Sequence, residues 1–418
     1  MSTNLSTLIS HQKLTELSQP IQELLSTTPY NPPESHDVSI KSLFQSLLPS
    51  KTPNSTNILP QIRDFCLLCA LISSSYASTS PLLSWIPERL IVASHLAIKA
   101  LSEAVYGDSH PYLRSDTRLV IDLMPEVIPL IKETIKESSI GGDEISAASS
   151  RVPTSYAIVA AYQLSWFVSQ VKNPELGKLC GLIIPCGLTA LDHWSSEVKG
   201  QGMSSFIHVA KNVNTADLGG YGDVILDACC HNIVSDDEIW HLAVEMSVCF
   251  VTCLQRNNPR SPWFERLLND MLGHLERQPR DKKRRIAWLK LVQPLFCCVG
   301  LVLLAHFRRL FPLFFQWVHA DDDETVLLAL ESIYTVVKLT WLRSSPHTIR
   351  LVDELAILYK EAALKTARDD IRVHIYHIMI LLQQSKGLQF EVTWEKYKDD
   401  PNLGTLVQSI TNGFPVLQ

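Results

Sequence analysis

Helix-forming segments with broad apolar stripes begin at steps of forty-odd residues through the C-terminal half of this chain, and that recurrence constrains the fold most. Phe264, Leu267, Leu268, Met271, Leu272 and Leu275 make one stripe at helical spacing. Val326, Leu327, Leu330, Ile333, Tyr334, Val337 and Trp341 make a second. Leu351, Val352, Leu355, Leu358 and Tyr359 make a third, and Ile371, Ile375, Ile378 and Leu382 a fourth. Such width suits helices that pack against neighbours on both sides. Taking Ser195, Ser235, Asp281 and Asp322 as starts of every second helix, the steps are 40, 46 and 41 residues. A helix pair at that period is the unit of HEAT and armadillo arrays. The expected fold class is therefore all-α, an α-α superhelix of HEAT/armadillo-like repeats. A globular helical domain with evenly sized helices is the alternative.

The helix starts carry their own chemistry. Ser235-Asp236-Asp237-Glu238 reads as a capping box. Ser261-Pro262 and Ser345-Pro346 each place an N-cap before a proline, which is best tolerated at the first helical position. Asp321 to Glu324 sets carboxylates against the positive end of the next helix. Nowhere does a period-two alternation flanked by turn residues persist, so strands are not expected as a major component.

Organisation along the chain follows from composition. Residues 1–57 combine one amphipathic pattern, Leu5 to Leu25, with a Pro/Ser/Thr-rich stretch, and are expected to form a loosely structured N-terminal segment. Helical repeats are expected over 58–137, a flexible linker or loop over 138–152, and HEAT-like repeats over 153–418. A chain of 418 residues with 46% apolar content buries an extensive core, and 16 glycines are too few for a protein built on tight hairpins.

Charge and cysteine usage narrow the function classes. The formal charge of −6 gives no global attraction to nucleic acid or acidic membranes, and neither is expected as a partner. The ten cysteines sit mostly inside apolar runs such as Phe65 to Ala70, where free thiols act as small hydrophobes. That usage and the absence of a secretory pattern in the first thirty residues point to the cytoplasm, the nucleus or both. The charge-free stretch Leu291 to Phe307 is interrupted by Pro294 and reads as a buried helix pair.

The candidate chemical sites each have a plainer reading. Cys66-x-x-Cys69 lacks a second ligand pair, and the two thiols share one face of an apolar helix. Cys229, Cys230 and His231, with His241, Cys249 and Cys253 beyond, include adjacent cysteines that point about 100° apart on a helix. Core packing is the preferred reading of both groups. His374 and His377 lie one turn apart without an HExxH pattern, and Gly219 to Gly222 lacks the lysine of a phosphate loop. No nucleotide, metal or hydrolase signature emerges, so no cofactor and no catalytic activity are expected. An enzyme using Cys66/Cys69 or the Cys229–His231 group is the rival that metal content or thiol alkylation would reveal.

The strongest charge feature is Arg280 to Arg285, with Arg277 before it. Its plain reading is a solvated turn. Its functional reading is docking of an acidic partner through Lys282, Lys283, Arg284 and Arg285.

Two stretches carry a family resemblance. One runs from Leu304-Ala305-His306-Phe307-Arg308-Arg309-Leu310 through the acidic turn at Asp321 to Leu328-Ala329-Leu330-Glu331 and Thr340-Trp341-Leu342-Arg343. The other is Leu191-Asp192-His193-Trp194, then Val198 to Gly202, then Gly222 to Ala228. Together they resemble the Tel-two-interacting protein two family, the smallest subunit of the TTT co-chaperone complex. That resemblance, over roughly residues 175–400, implies a scaffold subunit joining two larger helical-repeat partners. The trimer works with the ninety-kilodalton heat-shock chaperone to mature and stabilise phosphatidylinositol-kinase-related kinases. On that footing Arg308, Arg309 and Arg343 are the expected partner contacts, the basic turn Lys282 to Arg285 comes next, and Trp341 is either an interface anchor or a core residue. Another HEAT-like adaptor, serving transport or assembly, is the alternative function.

Overall fold

A computed structural model describes residues 9–31, 39–50, 58–78, 80–107, 115–139, 153–234, 237–341 and 345–412. Among them there is no strand; the chain is a succession of α-helices, as the stripes require. It divides into two compact units, Met1–Ala228 and Cys229–Gln418, a division that falls within the stretch 153–418 taken as one block from composition.

The first unit holds α1 (His11–Thr27), α2 (Ile40–Ser46), α3 (Leu59–Ser74), α4 (Glu88–Tyr106), α5 (Ser115–Ser139), α6 (Thr154–Ser169), α7 (Glu175–Leu191), α8 (Ser196–Asn212) and the start of α9 (Gly222–Asn232). Helices α3, α6 and α8 pack in sequence as one layer, and α1, α4, α5 and α7 as the other. Every residue of α3 from Phe65 to Ser73 is buried, because neighbours cover it on several sides. The α7–α8 crossing needs glycine: a Cβ on Gly187 would lie 2.7 Å from the Phe206 ring, and one on Gly202 would lie 3.0 Å from Ala190.

The N-terminal stretch departs from the expectation of loose structure. Ser10 caps α1 by accepting from the Lys13 N–H, and Leu14, Ile21 and Leu25 are buried, with α1 packed on α4. The amphipathic pattern that ends at Leu25 is a narrow stripe among Ser, Thr and Gln, and α4 covers most of it. Of the expected linker, Ser138 and Ser139 belong to α5, and 140–152 lie outside the described residues.

The second unit holds α10 (Trp240–Leu254), α11 (Pro262–Arg277), α12 (Lys282–Leu291), α13 (Gln293–Val299), α14 (Phe307–Val318), α15 (Asp323–Thr340), α16 (Ser345–Glu361), α17 (Arg368–Lys386), α18 (Leu388–Trp394) and α19 (Gly404–Asn412). One layer runs α10, α12–α13, α15, α17, α19, and the other α11, α14, α16, α18. The caps read from sequence begin these helices: Ser261 accepts from Trp263 N–H, Asp281 from Arg284 N–H and Asp322 from Thr325 N–H. Ser235 and Asp236 of the expected capping box lie outside the described residues, and α10 begins at Trp240.

The stripes of α11 and α17 are buried to the last residue, as are the five named positions of α16. Each such Leu or Phe contributes about 2 kcal/mol by leaving water. Trp288 anchors the interior, its ring 5.7 Å from Phe296 and 5.8 Å from Trp317. The apolar stretch Gln293–Val318 is long and apolar enough to cross a membrane by length and composition. Gly300 breaks it at φ +55°, leaving α13 and α14 in different layers.

Polar contacts between helices of the second unit repeat the array's period. Arg309 to Glu276 spans 33 residues, Arg285 to Asp322 37, Trp317 Nε1 to the Pro279 carbonyl 38, Lys360 to Asp400 40 and Lys365 to the Ala320 carbonyl 45. Each ties one repeat to the next, so the period of the hydrogen bonds matches the period of the helix starts.

Candidate interaction surface

The basic stretch proves to be the first turn of α12, and its four side chains have different fates. Arg284 is buried. It donates to Asp237 and, at 3.2 Å, to His274 Nδ1, and its guanidinium lies over the Trp240 ring. Arg285 is largely enclosed and donates at 2.6 Å to Asp322 and at 3.0 Å to Thr325 Oγ1. Lys282 reaches Asp322 at 3.5 Å from an exposed position. Lys283 is exposed with no ion pair among the described residues. Two of the four cations expected to greet a partner therefore stitch the array together instead. The reason is register: position 284 faces inward toward α10, and position 285 meets the acidic cap of α15.

The Asp322 carboxyl records that use. Burial pushes it up, but the Thr325 hydrogen bonds and then Arg285 outweigh burial and hold it down at about 2. Around this turn lies a groove of about 750 Å³ between α10 and α12. Trp240, Ile286 and Ala287 form its apolar lining, and Lys283, Glu238 and His241 stand at its rim. A second hollow, about 430 Å³, lies against Gln293, Glu331, Tyr334, His374 and His377. His374 Nδ1–H donates to the Asp370 carbonyl at 2.8 Å, and Glu331 stands 3.9 Å from its Nε2. No group of three or more His, Cys, Asp or Glu among the described residues has metal-holding geometry.

The arginines of α14 also divide. Arg309 is spent: its Nε and Nη2 clamp Glu276 at 2.7 Å each, and Nη1 donates to Asn269 at 2.8 Å. Arg308, its neighbour on the helix, is exposed and makes no hydrogen bond or ion pair among the described residues. Arg343 lies outside the described residues. Trp341 is 56% exposed and closes α15 in the left-handed conformation, φ 51°. It has left the core stripe, which ends at Val337 and Thr340. Residues 347 and 350 escaped the sequence reading, and only their contacts with α14 across the layer bring them to this surface.

The cysteine groups sit where packing requires. Cys66 and Cys69 are fully buried, and burial pushes the Cys66 thiol up to about 12 and the Cys69 thiol well up. Cys229 is raised by burial too. Thiols held so far from ionisation are poor nucleophiles and poor metal ligands. His193 is buried beneath the exposed Trp194; its Nδ1 accepts from the Ser195 N–H at 3.0 Å. Burial and then Lys199 lower it to about 4.

The chain is similar to several known proteins. Uncharacterized protein At2g39910 of Arabidopsis thaliana is 54% identical over 411 residues, covering 96% of this chain and 94% of that protein. TELO2-interacting protein 2 of Homo sapiens is 23% identical over 214 residues, 48% of this chain and 42% of that protein. The Mus musculus protein of the same name is 24% identical over 206 residues, 46% and 40% respectively. This chain thus spans less than half the length of either, and the likeness is a distant one. Among solved structures, importin beta superposes with a TM-score of 0.51 at 12% identity, over 96% of this chain and 53% of that one. That likeness shows the HEAT-repeat fold. No family model matches the chain. None of these descriptions names an enzyme.

Proposed function

We propose that this chain, which belongs to the family of the Arabidopsis thaliana protein At2g39910, is a non-catalytic adaptor subunit of a TTT-like co-chaperone complex. The observation that carries this reading is the likeness to TELO2-interacting protein 2 over nearly half the chain, on a helical-repeat fold. A stacked array buries one continuous core and leaves long rows of helix ends and outer stripes for binding other proteins. Two larger helical-repeat subunits are the proposed direct partners. The heat-shock chaperone and the phosphatidylinositol-kinase-related kinases follow indirectly. The proposed location is the cytoplasm, the nucleus or both. Of the residues expected to touch a partner, Arg308 and Lys283 keep that role here, and Trp341 joins them by its exposure.

The test is affinity purification of the tagged chain from its own cells, with mass spectrometry of what accompanies it. Stoichiometric recovery of two large helical-repeat proteins is the expected result. A clean monomer, or transport factors in their place, overturns the TTT reading.

A further inference from the structure

Where α14 meets α16, two arginines and a histidine gather over an aromatic floor. His347 stacks on Phe311 at 4.8 Å and stands edge-on to Phe307 at 5.7 Å. One turn along α16, the Arg350 guanidinium lies 4.6 Å over the Phe315 ring. Exposed Arg308 stands on α14 next to Phe307 and one turn before Phe311, at the edge of this floor. After burial, the charges of Arg350 and Arg308 each disfavour protonation of His347, so both cations are felt at the imidazole.

The carboxylate in reach is Glu354, and it is already shared. One oxygen accepts from Arg350 Nε at 3.3 Å, the other from His319 Nε2 at 3.0 Å. An exposed i,i+4 pair of that kind contributes only a few tenths of a kcal/mol. The terminal nitrogens of Arg350 make no other hydrogen bond among the described residues. Stacking on Phe315 holds the planar fork in place, so little rotamer freedom is left to lose on binding an anion.

Apolar surface borders the cluster. Ile349 is 45% exposed beside Arg350, and Ile357, two turns further along the same outer side, is 41% exposed. Pro312 continues the patch on α14. Exposed aliphatic side chains next to Arg308, unpaired among the described residues, and Arg350, held by Glu354 through Nε alone, complement one kind of partner surface: carboxylates alongside an apolar stripe.

We propose that Arg308, His347 and Arg350, with Ile349 and Ile357 beside them, form a docking surface for an acidic amphipathic segment of a protein partner. Carboxylates of that segment pair with the two guanidiniums while its apolar side chains cover the isoleucines. The proposal rests on the adaptor reading only in that the chain binds proteins; it does not depend on which complex the chain joins.

The test uses the full chain and a fluorescein-labelled synthetic helix bearing a leucine stripe flanked by glutamates. A twin with lysine in place of glutamate is the comparison. Anisotropy titration is expected to show binding of the glutamate helix that weakens as salt rises to about 0.3 M. The double variant Arg308→Glu, Arg350→Glu should weaken it at least about tenfold, while Lys99→Glu on α4, exposed and outside every candidate contact, leaves it unchanged. An unchanged affinity in the double variant, or equal binding of the lysine twin, overturns the proposal. Circular dichroism checks the fold. If the double variant loses helicity, Arg308→Glu carries the test alone, since Arg308 has no hydrogen-bond or ion-pair partner among the described residues to lose, and it should still weaken binding measurably. Complex recovery separates the two readings. Recovery of both large subunits, with helix binding unchanged by the double variant, leaves the TTT reading standing and removes this surface. Arginine-dependent binding of the helix by a chain that recovers no such subunits does the reverse.

Discussion

Asp322→Asn removes one charge at the start of α15 while keeping an oxygen that accepts the Thr325 N–H, so the cap survives. The Asp322 carboxyl falls from 3.8 to about 2 in the folded chain, and its side chain is only 17% exposed, so solvent screens it little. That difference corresponds to about 2 kcal/mol. A carboxyl whose folded pKa lies below its unfolded one adds stability that is complete above about pH 4 and lost as the pH falls through about 2. The variant also strands Arg285, whose side chain is 13% exposed and keeps only Thr325 Oγ1 and the Arg280 carbonyl as partners. The loss of about 2 kcal/mol is therefore a floor, because an enclosed cation without its anion adds cost. Urea unfolding followed by tryptophan fluorescence suits the measurement, since Trp288 and Trp317 are buried in α12 and α14, both packed on α15. The variant should be less stable by about 2 kcal/mol at pH 7 and by about half that at pH 3. A deficit that stays constant between those pH values would refute the electrostatic account and leave only a packing defect.

Two further outcomes follow from local geometry. Trp341→Gly should raise the melting temperature, because a bulky residue at φ 51° costs about 1 kcal/mol that glycine does not, and the half-exposed indole gives up little burial; a lower melting temperature would mean that the indole is anchored. In native protein a thiol reagent mapped by mass spectrometry should modify the exposed Cys297 quickly and Cys66 and Cys69 only on unfolding; labelling of Cys66 at the Cys297 rate would defeat the core reading.

The array was legible because each helix buries a stripe against fixed neighbours. Phe264 to Leu275 and Ile371 to Leu382 are patterns that no exposed helix keeps, and the capping residues Ser261, Asp281 and Asp322 mark starts by local chemistry. Trp341 shows where the pattern misleads. It continues the α15 stripe by spacing, yet the helix ends at Thr340 and the indole turns outward. Helix α1 shows the converse: its amphipathic pattern is visible up to Leu25, yet nothing local tells that Leu14, Ile21 and Leu25 pack on α4.

Which basic side chains of the candidate surface are exposed was only half legible, and the reason lies one level above the helix. Whether a cation is free for a partner depends on the acid that the next repeat brings opposite it, some forty residues away, and no local pattern encodes that meeting. Arg308 and Arg309 make the point within a single step of α14. A rotation of about 100° along the helix carries Arg309 to Glu276 and Asn269 of the preceding repeat. It leaves Arg308 exposed, with its charge felt at His347 of the following one. The same step in α12 separates exposed Lys283 from Arg284, buried and paired with Asp237. In a repeat protein, then, a run of basic residues states how much charge is present, and the register between repeats decides which of those charges faces outward. A docking surface is found by subtracting the pairs that hold the array together.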